Sequence, residues 1–577
     1  MLAADEAGGR PYASAARSSP WPALALALAA AAVFAIRLDV PGFFDNEGRY
    51  AEVAREMVLS GDWVSPHLDF TLFLNKPPLT FWLTAAVFRL GGTTEWARLV
   101  SIVAAAVTLF ATCRLGAILW GQRAGLTAGF VLATTLGFVL EARTLRPDVV
   151  VMAAVAAALL CWRRAEAPGA ARTRWLAAMY AVLGLGVLAK GLVPLAVAGV
   201  PIGLVTLRER GWRGIAALRP GLGLVVVAAI VLPWHVLVSL RHPGFAWDYV
   251  VNQHLLFFLD KKLPRDSEGD TLALFWMAFL GLGLPWSLVL PLALGEAARG
   301  AARAAGAEAR GSFLAGAWAG GLLLMFSCAP SRLQHYSVPA LPAVALLVAR
   351  VGERARAGEL GAAAWAYLAV MCAAVALGGV VGLLHGRALV AQAYWILQAP
   401  DLFALVAPAS VTVLAVGVLG LLAARRRRPA LLGGVLALAV VPVTVIVLTA
   451  MARVEPLFSW RPLARALVRA VPPEAEIVFE APVEYQLVGG LAFYTGRRIT
   501  LLEVPGFVPP TYLQRAAATM FLPRAEFARR WQAGERLAFV SDPQQRREDP
   551  AGLVPGPVHV LGRFGDRWVL TSFPVAG

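Results

Sequence analysis

The chain has 577 residues, 59% of them hydrophobic and 15% charged, which is too apolar for a water-exposed surface and places it in a bilayer. Its formal net charge is +16, from 52 Lys and Arg against 36 Asp and Glu, and the basic residues fall mostly between apolar segments, as the positive-inside bias of membrane proteins requires. Zinc-finger, helix-turn-helix and RNP-type signatures are absent, so the charge does not indicate a nucleic-acid partner.

Arg10 and Arg17 precede an apolar run from Trp21 to Ile36 that has no convincing small-residue cleavage site, so residues 1–20 read as a cytoplasmic tail and the run as an uncleaved first span. A span needs about 20 apolar residues. By that measure about thirteen spans are predicted, near 21–38, 97–119, 124–141, 147–163, 174–188, 191–207, 220–240, 271–294, 312–328, 336–350, 364–384, 402–424 and 430–451. The four cysteines, Cys113, Cys161, Cys328 and Cys372, lie in or beside these stretches and read as small packing residues.

Alternate loops carry the arginine excess: Arg163 to Arg174, Arg208 to Arg219, Arg299 to Arg310, Arg350 to Arg356 and Arg425 to Arg428. These loops are assigned to the cytoplasm. The loop 39–96, the turn from Arg143 to Asp148, the loop from Arg241 to Asp270, the turn from Ser327 to Tyr336 and everything from 453 onward then face outward. From 453 to 577 polar residues interleave with short β-type runs, Glu476–Phe479, Arg498–Leu502, Leu537–Val540 and Arg567–Thr571, which predicts a small soluble α/β domain.

The first outer loop is the richest in chemistry. From Glu47 to Leu59 the apolar residues Tyr50, Val53, Ala54 and Met57 recur at helical spacing, which predicts an amphipathic helix lying along the membrane surface. Asp45 just precedes it, either as an N-cap or as a catalytic carboxylate, while Glu52, Arg55 and Glu56 read as a solvated face. An acid near the membrane plane, followed by Arg49 and by Lys76 in a Pro-rigidified turn, supplies both halves of a phosphate-leaving glycosyl transfer. The carboxylate handles the acceptor, and the cations neutralise the departing phosphate.

Asp45-x-Glu47-x-Arg49-Tyr50-Ala51-Glu52, Gly61-Asp62-Trp63 and Lys76-Pro77-Pro78-Leu79 resemble the bacterial branch of the protein O-mannosyltransferase superfamily, which includes the aminoarabinose transferases of lipid A. Further matching segments run through most of the membrane region: Arg143-Thr144-Leu145-Arg146-Pro147-Asp148, Ala189-Lys190-Gly191, Leu232-Pro233-Trp234-His235, Leu284-Pro285-Trp286-Ser287 and His335 to Pro342. The resemblance implies a GT-C fold: an α-helical polytopic membrane domain over 21–452 with the active site on loop 39–96, and an outer domain over 453–577. It assigns the principal catalytic carboxylate to Asp45 and a second acid to Asp148, donor-phosphate contacts to Arg49, Lys76, Lys190 and Tyr336, and pocket positions to Glu47 and Tyr50.

Three of these assignments have a plainer alternative: an ion pair of Asp148 with Arg143 or Arg146, a snorkelling Lys190, a Tyr336 in an aromatic belt. His254 matches an outer-loop histidine of the family and is the one candidate metal ligand, against a structural role. Asn75 stands where the aminoarabinose transferases carry a glutamate, which puts a divalent metal in question. Where the family has an arginine after that histidine this chain reads Leu256-Phe257-Phe258, and Lys261, Lys262 and Arg265 follow either as its replacement or as a solvated headgroup contact.

The implied activity is inverting transfer of a sugar from a polyprenyl-phosphate donor, undecaprenyl-linked, to a lipid, glycan or protein acceptor on the periplasmic face of a bacterial inner membrane. The enzyme would act as a monomer and without a nucleotide cofactor. The competing class is a polytopic lipid or solute transporter, disfavoured because the polar residues gather in a surface loop instead of at mid-span.

Overall fold

The structure, a computed structural model, describes residues 19–167, 171–263, 269–302, 306–393, 398–482, 484–545, 547–550 and 552–575. Residues 1–18, with Arg10 and Arg17, and Arg265 lie outside the described residues. Every predicted span is helical. Among the described residues seven helices are long and apolar enough to cross a membrane, or up to nine if two bent pairs each count as one span. The bent pairs are Gln122–Ala133 with Leu136–Ala142, at 70°, and Leu272–Leu282 with Trp286–Ala302, at 103°. Trp21–Phe34 is shorter, Pro147–Ala165 and Arg172–Lys190 carry basic residues in their last turns, and Val193–Ala217 carries Arg208, Arg210 and Arg213 in its C-terminal half. This is a multi-pass helical membrane protein.

The alternation of loops is visible in the ion pairs. Arg163 and Arg210 both meet Glu166, Arg310 meets Glu209, Arg350 meets Glu308, and Arg354 meets Glu296. Four of the five arginine-rich loops, those at 163–174, 208–219, 299–310 and 350–356, therefore gather at one end of the bundle. At the other end the first outer loop packs against the C-terminal domain. The loop contains the predicted amphipathic helix, Asp45–Ser60, a hairpin of β1 (His67–Leu68) and β2 (Thr71–Leu72), and the helix Leu79–Gly91.

The helix Val440–Phe458 continues beyond the predicted end of the last span, and Arg461–Ala470 opens the C-terminal domain. There β3 (Glu476–Phe479), β4 (Thr500–Leu502), β5 (Phe521–Leu522), β6 (Leu537–Val540), β7 (His559–Phe564) and β8 (Arg567–Thr571) form one sheet in the order β5-β4-β3-β6-β8-β7. β5, β4, β3 and β6 run parallel, and β8 and β7 close the edge antiparallel. All four predicted strand segments form strands, with β4 starting two residues later than predicted. β5 and β7 were not foreseen, because two apolar residues and a run interrupted by Gly562 and Arg563 give little alternation to read.

The helix Val488–Thr495 lies on the outer helix at a spacing that only glycines permit. A Cβ on Gly48 would stand 2.5 Å from Gly490 Cα, and one on Gly489 would stand 2.6 Å from Arg49 Cα. Val53, Ala54 and Met57 join Trp460, Val488, Leu491 and Ala492 in one buried cluster. The C-terminal domain is thus welded to the helix that carries the candidate site.

Candidate active site

The outer helix begins at Asp45, and its N-cap position is Phe44, so the N-cap reading of Asp45 does not hold. Two residues on, Glu47 is a structural hub. Its Oε1 accepts from Arg98 Nε at 2.8 Å and Leu145 N at 2.9 Å, and its Oε2 from Arg98 Nη2 at 2.7 Å and Phe44 N at 3.3 Å. Arg98 also donates to the carbonyls of Leu38 and Pro41. Glu47 therefore ties the first loop to the Arg143–Asp148 turn while lining a cavity of about 300 Å³ with Asn46, Glu141 and Arg146. An apolar groove of about 480 Å³, walled by Val33, Phe34, Val441 and Val445, shares Val40, Arg143 and Leu448 with that cavity.

The solvated face predicted for Glu52, Arg55 and Glu56 is overturned: Glu52 is 0% and Glu56 3% exposed, because the hairpin and the C-terminal domain cover them. Arg55 grips Glu52 with Nε and Nη2, each at 2.6 Å. Glu56 accepts from Phe70 N at 3.0 Å, and Asp69 from Ile499 N at 3.0 Å, which pins a hairpin turn whose two residues, Asp69 and Phe70, both have positive φ. Burial, reinforced by the neighbouring Glu52, pushes the Glu56 carboxyl up to about 9, and burial pushes Asp69 up to about 8.

On the site side, three chain segments meet. Lys190 Nζ lies 2.5 Å from Asp148 Oδ1 and 4.2 Å from the centre of the Tyr336 ring. Asp148 is therefore paired with Lys190 and not with its sequence neighbours. Arg146 turns instead to Glu141 at 3.2 Å, and Arg143 to the carbonyls of Phe34, Ile36 and Arg37. Lys190 does not snorkel, since its side chain is 12% exposed. Tyr336 is the platform beneath its ammonium.

Tyr50 is within electrostatic reach of Arg49, Asp148, Lys190 and Arg146, and burial raises its phenol, which stays a hydrogen-bond donor. Lys76 is within electrostatic reach of His254 and His335. Arg49 donates to Asn46 Oδ1 and, at 2.6 Å, to Glu484 of the C-terminal domain. The fold thus brings the predicted Arg49, Tyr50, Lys76, Asp148, Lys190 and Tyr336 to one side of the outer helix. It adds Arg146 and His335, which adjoin the predicted residues in sequence, and Glu484, for which the sequence carries no signal.

The donor set does not fit a divalent metal. His254 lies in a π-helix, Asp248–Leu256, with Nδ1 donating to the Tyr249 carbonyl at 2.6 Å and Nε2 accepting from Leu192 N at 3.3 Å. No ring lone pair is left for a metal, and burial together with the charge of Lys76 lowers the pKa of the ring. Asn75 Oδ1 is taken by Tyr512 Oη at 2.7 Å. Among the described residues no group of three or more His, Cys, Asp or Glu is arranged around a common point.

A helical membrane bundle with juxtamembrane helices beneath an outer α/β domain is the architecture of the GT-C class. Crystal structures of ArnT from Cupriavidus metallidurans, in the apo state and bound to undecaprenyl phosphate, superpose with a TM-score of 0.76 at 25% and 24% identity, over 96% of this chain and 97% of theirs. Residues 75–236 match the family described as dolichyl-phosphate-mannose-protein mannosyltransferase.

An undecaprenyl phosphate-alpha-4-amino-4-deoxy-L-arabinose arabinosyl transferase of Erwinia tasmaniensis is 30% identical over 341 residues, 57% of this chain and 59% of the relative. Its counterpart in Pectobacterium carotovorum is 30% identical over 317 residues, 53% of this chain and 54% of the relative. The chain thus spans between half and two thirds of the length of the curated relatives it matches. Its similarities are thus to protein O-mannosyltransferases over residues 75–236 and to lipid A aminoarabinose transferases over about half its length, on a shared GT-C fold.

Proposed function

We propose that this chain is an inverting glycosyltransferase of the bacterial inner membrane that takes a sugar from an undecaprenyl-phosphate carrier and attaches it to a lipid, glycan or protein acceptor on the periplasmic face. The observation that carries the reading is the meeting of Lys190, Asp148 and Tyr336 beside the start of the outer helix. Buried cations held in place beforehand are what a departing lipid phosphate requires, since they need no reorganisation as its charge develops.

In this reading Arg49, Lys76 and Lys190 receive the carrier phosphate and Tyr336 backs it. Asp148 acts as a positioning residue, because its carboxylate fixes the ammonium of Lys190. Asp45, opening the outer helix, places the acceptor. A hydroxyl acceptor needs Asp45 as base, and an already ionised phosphate acceptor needs it only for orientation. The acceptor's nucleophilic oxygen attacks the anomeric carbon, the bond to the carrier phosphate breaks, and the phosphate leaves as the lipid anion. No step is routed through a metal. Glu47 and Tyr50 shape the pocket, Glu47 through its grip on Arg98.

Purified protein incubated with undecaprenyl-phosphate sugars and a lipid and glycan extract as acceptor is expected to release undecaprenyl phosphate and to move a radiolabel on the sugar to the extract. Asp45→Asn is expected to abolish release while carrier binding persists. Turnover that survives this change moves the chemistry to another residue.

A further inference from the structure

Arg49, proposed above to receive the carrier phosphate, already holds an anion. Its Nη2 donates to Glu484 Oε1 at 2.6 Å, with the two side chains only 11% and 23% exposed. Glu484 lies on the connection from β3 to the helix Val488–Thr495. That helix touches the backbone of Arg49 through Gly489, so the loop bearing Glu484 is held in register with Arg49 itself. The same domain grips the turn that carries Lys76: Tyr512 Oη donates to Asn75 Oδ1 at 2.7 Å and accepts from Leu74 N at 3.3 Å. The C-terminal domain therefore contacts both segments of the first loop that supply phosphate-binding cations.

Carboxylate and phosphate compete for the same guanidinium N–H donors, and both do so with charge-assisted hydrogen bonds. A shielded guanidinium is costly to leave without a counter-ion, so one anion must arrive as the other departs. The geometry points to Glu484 as a resident counter-anion that the lipid phosphate displaces from Arg49, so that the C-terminal domain sets the affinity for the carrier and assists its release. This inference rests on the function proposed above and concerns the regulation of that site.

Before binding, the pair keeps Arg49 oriented and its charge balanced. When the carrier arrives, its phosphate takes the Nη2 donor and the Glu484 carboxylate turns out to water. After transfer, Glu484 returns and competes the spent carrier phosphate away. Affinity for the phosphate is reduced by the fraction of protein in which Glu484 occupies Arg49.

Binding of undecaprenyl phosphate to the full chain in detergent, followed by titration calorimetry, tests this. Glu484→Gln is expected to tighten binding roughly tenfold, since the competing charge is removed. Glu484→Asp, which withdraws the carboxylate by one methylene, is expected to show a smaller gain in the same direction and serves if the first variant does not accumulate. Tyr494→Phe loosens the same domain elsewhere, where Tyr494 Oη donates to Glu95 at 2.8 Å, and is expected to leave carrier affinity unchanged. Equal or weaker binding by both Glu484 variants overturns the inference, as does equal tightening by Tyr494→Phe. A wild-type chain that binds no undecaprenyl phosphate overturns the proposed function along with it.

Discussion

Replacing Glu47 by Gln separates a structural hub from a substrate contact. Arg98 is 3% exposed and Glu47 4%, so the substitution leaves a buried guanidinium without its counter-ion. The amide group also presents a donor where Oε2 accepts from Arg98 Nη2 and Phe44 N. Breaking a buried pair on one side costs about 3–5 kcal/mol. Arg98 keeps the carbonyls of Leu38 and Pro41, which favours the lower figure, about 3 kcal/mol.

A solubilised membrane protein unfolds irreversibly, so the quantity to measure is a lifetime. If the pair is lost before the unfolding barrier, about 3 kcal/mol shortens the half-life at fixed temperature roughly a hundredfold. Tryptophan fluorescence in detergent follows this directly, as the chain has 18 Trp. Arg98→Met added to Glu47→Gln removes the orphaned charge and is expected to restore much of the lifetime. A Glu47→Gln lifetime within about twofold of wild type, with the defect confined to KM, refutes the hub and makes Glu47 a direct substrate contact.

Gly490→Val places side-chain atoms where Gly490 already crowds Gly48 and Trp460; the overpacking is expected to cost about 1–3 kcal/mol and to make the C-terminal domain more susceptible to limited proteolysis, whereas unchanged cleavage argues against the glycine-mediated docking. Glu56 and Asp69 titrate near 9 and near 8 in the folded chain because burial favours their neutral forms. Between ordinary carboxylate values and these, the folded state binds more protons than the unfolded, so stability falls as pH rises. Their contribution is fully present below about pH 4 and lost by about pH 9. Thermal lifetime measured from pH 5 to pH 9 is expected to shorten, and Glu56→Gln with Asp69→Asn to flatten the dependence. A wild-type profile already flat over that range refutes the burial of these two acids.

Hydropathy alone located every helical segment of the bundle, because a bilayer-spanning helix must satisfy its backbone internally and show lipid an apolar surface, and both demands are local. The alternation of arginine-rich loops likewise foretold that four of them share an end. Short β-type runs set off by polar residues gave β3, β6 and β8 at their observed bounds, and the motifs named Asp148, Lys190 and Tyr336 before their meeting was visible. Which charges pair with which was decided only by tertiary structure. Glu52 and Glu56 look solvated on a helical wheel and are buried, since a domain some 400 residues later in the chain covers them. Asp148 looks paired to Arg146 and belongs to Lys190. Glu484 carries no local signal at all, and its partner Arg49 lies 435 residues away. A side chain's period along its own segment is written in that segment, whereas the identity of its counter-ion depends on what the whole chain packs against it.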